Sequence, residues 1–553
     1  MFVYGIYFYL PHSMRKSTCA VFSLLVFLFF GQIAFRPLAN PDEGRYAEIA
    51  REILQSGDWL TPRLNGLLYF EKPPFVYWCT ALGERLFGTN VFGARFFNAL
   101  FALLTCFCVY RFCTHFFNRT FGNIAAGILG TSLLWCEMSQ LITLDVTLSF
   151  FITASILSFA WGFLTPHAGD ARKHFFLAYI FVAFAVLTKG FIGLIAPALV
   201  GLPWLILTGH WRKLGQSYLI RGCLLIVLIN FPWHYLMAVK YPEFCHFYFW
   251  HEHFERYLLP DHNRMKPFYF LPLSFLFGMF PWALFFPRAL CASAESWHSK
   301  WVREIVLLGT FWSLGLVGFF SFSHSQLIPY ILPAIPGGVL ILACAFTKPG
   351  FIQKCRLECA LWASILLLLA CSIPYISAKR ALIPIPVGFL VELMVVMILI
   401  TVVALLFLIK RYVARAFVLL LTLTCLLYSA FPCFFSYFQR DQSGQMSRFI
   451  LKQGDDDAQV YCAYYYFQDL PFYLHRYVGT INHVPDEQTL GYRSEPCDRY
   501  IVSDALRYRW TLSKRIFVLV RRQQRQVFEG QMSELPLYNL TNDAYFALYS
   551  NRR

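Results

Sequence analysis

At 553 residues, 58% hydrophobic and 19% aromatic with only 14% charged, the chain excludes a soluble globular protein and reads as a polytopic membrane protein. The net charge of +16 rests on few ionisable residues, and the surplus of base suits membrane-facing loops rather than a nucleic-acid surface. Seventeen cysteines suggest a metal or redox protein, yet Cys106, Cys108, Cys223, Cys371 and Cys425 sit inside apolar runs and no CxxC pair occurs.

Taken in order, Met14-Arg15-Lys16 directly precedes the first apolar run, which makes Met14 a candidate start and leaves the first helix in the mature protein. Residues 40–78 follow, and the rest of the chain is organised around them. Asn40 suits a helix N-cap, Pro41 the first helical position, and Asp42 and Glu43 the positive end of the helix dipole. Tyr46, Ile49, Ala50, Ile53 and Leu54 recur at helical spacing, with Arg45, Glu48 and Glu52 turned away, as in an interfacial amphipathic helix. Past a polar break at Ser56-Gly57-Asp58, Glu71-Lys72-Pro73-Pro74 returns an acid and a base to the membrane surface, with Tyr77 and Trp78 at headgroup level.

Apolar runs of spanning length begin near residues 17, 90, 119, 142, 174, 190, 218, 268, 303, 327, 357, 384 and 414, so about thirteen spans are expected by the twenty-residue criterion. An odd number puts the two ends on opposite sides. Basic clusters at Arg15-Lys16, Arg111 with Arg119, Arg172-Lys173, Arg212-Lys213, Lys348 with Lys354 and Arg356, and Lys410-Arg411 with Arg415 mark cytoplasmic loops. The outer loops at 37–87 and 240–267, and the C-terminal segment, then lie on the opposite side.

Three charged places interrupt the apolar runs. Asp145 stands at the outer end of a span, where snorkelling to the interface is the bland reading. Lys189, before Gly190, is either a turn lysine or a point charge near a lipid phosphate. In Phe249-Trp250-His251-Glu252-His253-Phe254-Glu255-Arg256, the i,i+4 pairs His251/Glu255 and Glu252/Arg256 suit a salt-bridged helix, and the HExxH zinc spacing is absent. Tyr330, at the opening of a later span, reads as an interfacial belt tyrosine.

Beyond about residue 438 the texture changes to a small α/β domain, residues 439–553, following a membrane domain over 1–438. Residues 443–452 have helical periodicity, and 460–465, 500–503 and 515–520 read as strands. Cys462 and Cys497 are disulfide candidates there.

The segments PDEGRYAEI, GDWLTPRLNG and YFEKPP, in that order after a first membrane helix, resemble the bacterial aminoarabinose transferases. These are lipid-linked-sugar enzymes of the GT-C class, related to the protein O-mannosyltransferases. The resemblance covers roughly residues 17–335 and implies a GT-C helical membrane domain of an inverting glycosyltransferase. It implies a Gram-negative inner membrane, a periplasmic active site, an undecaprenyl phosphate-sugar donor and lipid A phosphate as acceptor. Aminoarabinose is the sugar expected, and its transfer would confer resistance to cationic antimicrobial peptides. By the same resemblance Asp42 and Asp145 are catalytic, and Arg45, Lys72, Lys189, Arg256 and Tyr330 bind substrate. Glu71 and His251 flank a divalent metal such as zinc, and no organic cofactor is expected. His262-Asn263-Arg264 and Pro267 continue the match, whereas Gln326 stands where relatives carry lysine. A protein O-mannosyltransferase shares the Asp-Glu pair but not the following segments. A flippase would carry its charges at mid-bilayer within paired repeats, and no repeat occurs here.

Overall fold

The computed structural model describes all residues except 1–11, 256–265, 380–386, 439–442, 454, 456, 513 and 543–544. Among the described residues, nine helices are long and apolar enough to cross a membrane, from Val91–Phe116 to Val413–Ala430. All thirteen expected runs are helical in at least part, but four fall short of that criterion. Two are the short apolar helices Ser17–Phe30 and Ile192–Thr208, and one is the 12-residue helix Arg119–Gly130. The fourth is a pair, Phe270–Gly278 and Trp282–Glu295, bent by 100° at the break that contains Pro281, which has no amide hydrogen to carry a helix onward. Among the described residues nine helices, or ten if the bent pair is one span, meet the criterion, and the count of about thirteen is not confirmed.

The first helix, α1 (His12–Phe30), leads into α2 (Asp42–Ser56), a hairpin of β1 (Arg63–Leu64) and β2 (Leu67–Leu68), and α3 (Phe75–Phe87). Asn65 and Gly66 form the hairpin turn with φ of 53° and 79°, the left-handed conformation that an Asn-Gly pair favours. Pro41 rather than Asn40 occupies the N-cap position of α2, and Asn40 donates from Nδ2 to Asp469 Oδ1 at 2.7 Å. Gly57, with φ of 72°, ends the helix.

The C-terminal domain carries a six-stranded sheet of β3 (Gln459–Ala463), β4 (Gly479–Ile481), β5 (Tyr500–Ile501), β6 (Ile516–Arg521), β7 (Tyr538–Asn542) and β8 (Phe546–Ser550). The order is β5-β4-β3-β6-β8-β7, with the first four strands parallel and the last two joined antiparallel. The helix Gly444–Lys452 precedes it, and Cys462 and Cys497 are free thiols rather than a disulfide.

This domain sits directly on residues 40–78, so both lie on one side of the bundle. One hydrophobic cluster runs from Tyr46, Ile49 and Ile53 of α2 and Tyr77 of α3 into Phe467, Leu470, Phe472 and Leu474. Asn65 Nδ2 donates to Val478 O at 2.8 Å while Val478 N donates to Asn65 Oδ1 at 3.0 Å. The expected watery face of α2 is consequently absent: Glu48, Arg51 and Glu52 are buried. Arg51 donates twice to Glu48, at 2.7 and 2.6 Å, and Glu52 accepts from Gly66 N at 2.9 Å. Arg51 and Glu48 leave water as a pair, whereas burial and the neighbouring Glu48 push the Glu52 carboxyl well above the usual range.

Candidate active site

The Asp-Glu pair at the start of α2 divides into two roles. Glu43, buried, accepts from Arg95 Nε and Nη2 at 2.7 Å each, from Arg36 Nη1 at 3.1 Å, and from the backbone N–H of Ala39 at 2.8 Å and Ile142 at 2.9 Å. Burial raises its pKa, but Arg36 and Arg95 outweigh burial and hold the carboxyl down at about 2. Glu43 thus ties α2 to the helix Val91–Phe116 and to the start of the span that carries Asp145. Asp42, its neighbour, is the exposed member, with 56% of its side chain open, 3.5 Å from Arg45 Nη1.

Arg45 is enclosed by residues that its spacing alone did not single out. Its Nη2 lies 3.4 Å from Glu487 of the C-terminal domain. Burial opposes its charge, while Tyr69, Glu487, Glu71 and Tyr46 favour it strongly enough to raise its pKa well above the ordinary value. Tyr69 OH donates to Glu71 Oε2 at 3.0 Å, and the Tyr77 ring lies 5.7 Å from Tyr46 and 6.2 Å from Tyr69. Burial, and then the Asp42 charge, push the Tyr46 phenol well up, so it stays protonated as a donor.

Lys72 donates to the carbonyl of Glu71 at 2.8 Å and is ion-paired with Glu252. Glu252 belongs to a π-helix, His246–Glu255, a wide helical turn common at functional sites. The partner of Glu252 expected from spacing, Arg256, lies outside the described residues, as do His262, Asn263 and Arg264. His251 does keep its expected i,i+4 contact, Nδ1 to Glu255 Oε2 at 2.7 Å.

A second group forms where two antiparallel spans end together. Asp145 is in the first turn of Leu144–Leu164 and Lys189 in the last turn of Ala168–Lys189. Lys189 Nζ donates to Asp145 Oδ1 at 2.5 Å and sits 4.4 Å above the Tyr330 ring centroid, a cation–π contact. Both side chains are largely buried. Gln326 donates from Nε2 to Ser321 O at 2.9 Å and Ser323 O at 3.2 Å, so it serves as a bracket for its own loop. The two groups share one end of the bundle. Phe75, just beyond Pro74, packs on Phe184 at 5.2 Å, and Phe191 packs on Phe249 at 5.8 Å.

The metal expectation is less developed. Lys72 and Glu252, the chain neighbours of Glu71 and His251, are ion-paired, which brings the two loops together as a shared ligand set requires. An imidazole oriented by a carboxylate, as His251 is by Glu255, suits a divalent ion such as zinc, and so does the Glu71 carboxylate. Among the described residues no group of three or more His, Cys, Asp or Glu is arranged for a metal.

The family model for dolichyl-phosphate-mannose-protein mannosyltransferase matches residues 13–248, and that for the aminoarabinose transferase C-terminal domain matches residues 446–549. Undecaprenyl phosphate-α-4-amino-4-deoxy-L-arabinose arabinosyl transferases are similar in sequence. That of Shewanella sediminis is 32% identical over 58% of this chain, and that of Pseudomonas aeruginosa 30% over 62%. The matched regions span 57% and 61% of those relatives, under two thirds of their length. The crystal structure of ArnT from Cupriavidus metallidurans bound to undecaprenyl phosphate superposes with a TM-score of 0.82 at 27% identity, over 97% of this chain and 98% of that one. In sequence and in fold the chain is similar to the aminoarabinose transferases.

The fold class expected from sequence holds: a polytopic helical membrane protein with a small C-terminal α/β domain. Sequence reasoning missed Tyr69, Glu252 as the partner of Lys72, and Glu487. Only the Asn65-Gly66 turn offered an unused signal, since it announces the hairpin that seats the C-terminal domain.

Proposed function

We propose that this protein is an inverting glycosyltransferase that moves 4-amino-4-deoxy-L-arabinose from undecaprenyl phosphate to a phosphate of lipid A, at the periplasmic face of the inner membrane. The observation that carries this reading is the gathering of anchored cations at one end of the bundle. Arg45, Lys72 and Lys189 each stand against a carboxylate, with side chains 12%, 14% and 16% exposed. The names of the relatives and the ligand of the Cupriavidus structure supply the donor class.

The chemistry suits these residues. In an inverting transfer an acceptor phosphate oxygen attacks the anomeric carbon as the bond to the undecaprenyl phosphate oxygen breaks. The departing phosphate gains negative charge, and cations fixed beforehand stabilise that charge without reorganising. The acceptor phosphate is already anionic, so Asp42 acts in placing the acceptor and balancing oxocarbenium-like charge rather than as a strong base. Asp145 holds Lys189 toward the same phosphate region. Glu71 and His251 would hold a divalent metal between the two outer loops, where it would supply added positive charge. Arg256 is assigned to the donor phosphate by the family resemblance alone.

The match of residues 13–248 to a mannosyltransferase model favours protein O-mannosylation as the second reading. Mass spectrometry of lipid A from cells with and without the gene decides between them. An aminopentose-sized difference on a phosphate supports the first reading. Unchanged lipid A with newly glycosylated protein overturns it.

A further inference from the structure

The turn of the C-terminal domain around residues 486–495 is clamped onto the β1–β2 hairpin. Gln488 Nε2 donates to Leu64 O at 3.2 Å and Tyr500 OH donates to Gln488 Oε1 at 2.6 Å. A Cβ on Gly491 would stand 2.4 Å from Leu68 O, so only glycine allows this approach. Arg63 pairs with Glu495 at 2.6 Å. The clamp delivers a single acid to the arginine of α2. Glu487 Oε1 accepts from Gln468 Nε2 at 3.0 Å and lies 3.4 Å from Arg45 Nη2, with 14% of its side chain exposed.

On its other arm, Arg45 Nη1 is 3.5 Å from Asp42 Oδ1. Both contacts are longer than the roughly 2.7–2.9 Å of a closed charge-assisted bond. Among the described residues the buried Arg45 Nε has no hydrogen-bond partner. The guanidinium is therefore suspended between two carboxylates and closed on neither.

From this geometry we propose that Glu487 is a positioning residue for sugar transfer, a carboxylate of the C-terminal domain that holds Arg45 off Asp42 so that both stay available to the reactants. This rests on the reading above that Asp42 and Arg45 serve the transfer. Without the Glu487 charge Arg45 loses the carboxylate on its far arm, and the more distant pull of Glu71 does not keep the fork from closing on Asp42 as a bidentate pair that occupies both groups. Turnover then falls. Affinity for the lipid phosphate does not, because Lys72 and Lys189 keep their places and the loss of the Glu487 charge offsets the engagement of Arg45 by Asp42.

The test uses the full chain in detergent, with an undecaprenyl phosphate-linked aminopentose as donor and undecaprenyl phosphate itself as the binding probe. Glu487→Gln should lower kcat about tenfold while the Kd for undecaprenyl phosphate stays unchanged or tightens and the melting midpoint holds. Glu487→Asp should recover part of kcat. In an Arg45→Lys background, where no fork exists, Glu487→Gln should add less than about a twofold loss. Wild-type kcat in Glu487→Gln overturns the proposal. So does a loss shared in parallel by kcat, Kd and melting midpoint, which marks a merely structural ion pair, or a full multiplicative loss in the Arg45→Lys background. No transfer by the wild-type chain overturns the functional reading and this proposal together, whereas transfer by wild type with an unaffected Glu487→Gln overturns the positioning alone.

Discussion

Replacing Glu43 by Gln separates the two acids of the Asp-Glu pair. The carboxylate accepts five hydrogen bonds, three of them from the buried guanidinium groups of Arg36 and Arg95. Glutamine keeps the shape but turns an N–H2 toward donors and leaves two buried cations without a counter-charge. Breaking a buried pair in this way costs about 3–5 kcal/mol. The titration leads to the same magnitude. A carboxyl held at about 2 when folded and at 4.5 when unfolded contributes roughly 3 kcal/mol. The folded value is depressed, so this stability is fully present above the unfolded pKa and is lost as pH falls through the folded one. Equilibrium unfolding of Glu43→Gln in detergent should therefore show a loss of about 3 kcal/mol near neutral pH, shrinking toward zero as the medium approaches pH 2. Asp42→Asn, examined beside it, should leave unfolding unchanged. Equal stability of Glu43→Gln and wild type at neutral pH would refute the assignment of Glu43 to structure.

Asp42→Asn and Asp145→Asn should each abolish sugar transfer while the protein stays folded in the membrane; near-normal transfer by either purified variant removes that residue from the reaction. Lys72→Ala should weaken donor use, read as a raised donor KM. The change also strands the largely buried Glu252, so Lys72→Ala with Glu252→Gln should recover stability but not donor use. A donor KM equal to wild type would mark Lys72 as a purely structural partner of Glu252. Glu71→Ala and His251→Ala should lower both metal content, measured by elemental analysis, and activity, without the total loss expected at Asp42. Full activity of chelator-treated, metal-free protein would rule out a metal requirement.

Much of the architecture was legible because it is written locally. Apolar runs of bilayer length, the basic loops between them and the change of texture near residue 438 depend only on what neighbouring residues prefer to be dissolved in. The strands Gln459–Ala463 and Ile516–Arg521 were readable for the same reason, since a short unbroken run of apolar, β-branched and aromatic residues bounded by polar turns is a local pattern. The short strand Gly479–Ile481, with too few residues to show a period, was not.

By itself the sequence determined the membrane class, the C-terminal α/β domain and the concentration of charge in residues 40–78. Position alone allowed helix-start, snorkelling and turn readings for Asp42, Asp145 and Lys189, and the resemblance of the motifs brought them forward, with Arg45 and Lys72, as site residues. Only the tertiary structure decided which charge meets which. It buried Glu43 between Arg36 and Arg95, covered the polar face of α2 with another domain, and set Lys72 on Glu252 and Glu487 beside Arg45. Periodicity reports the preference of one element for water or for lipid. The partner of a buried charge is chosen by whichever distant segment crosses it, and for Arg45 that segment lies more than four hundred residues away.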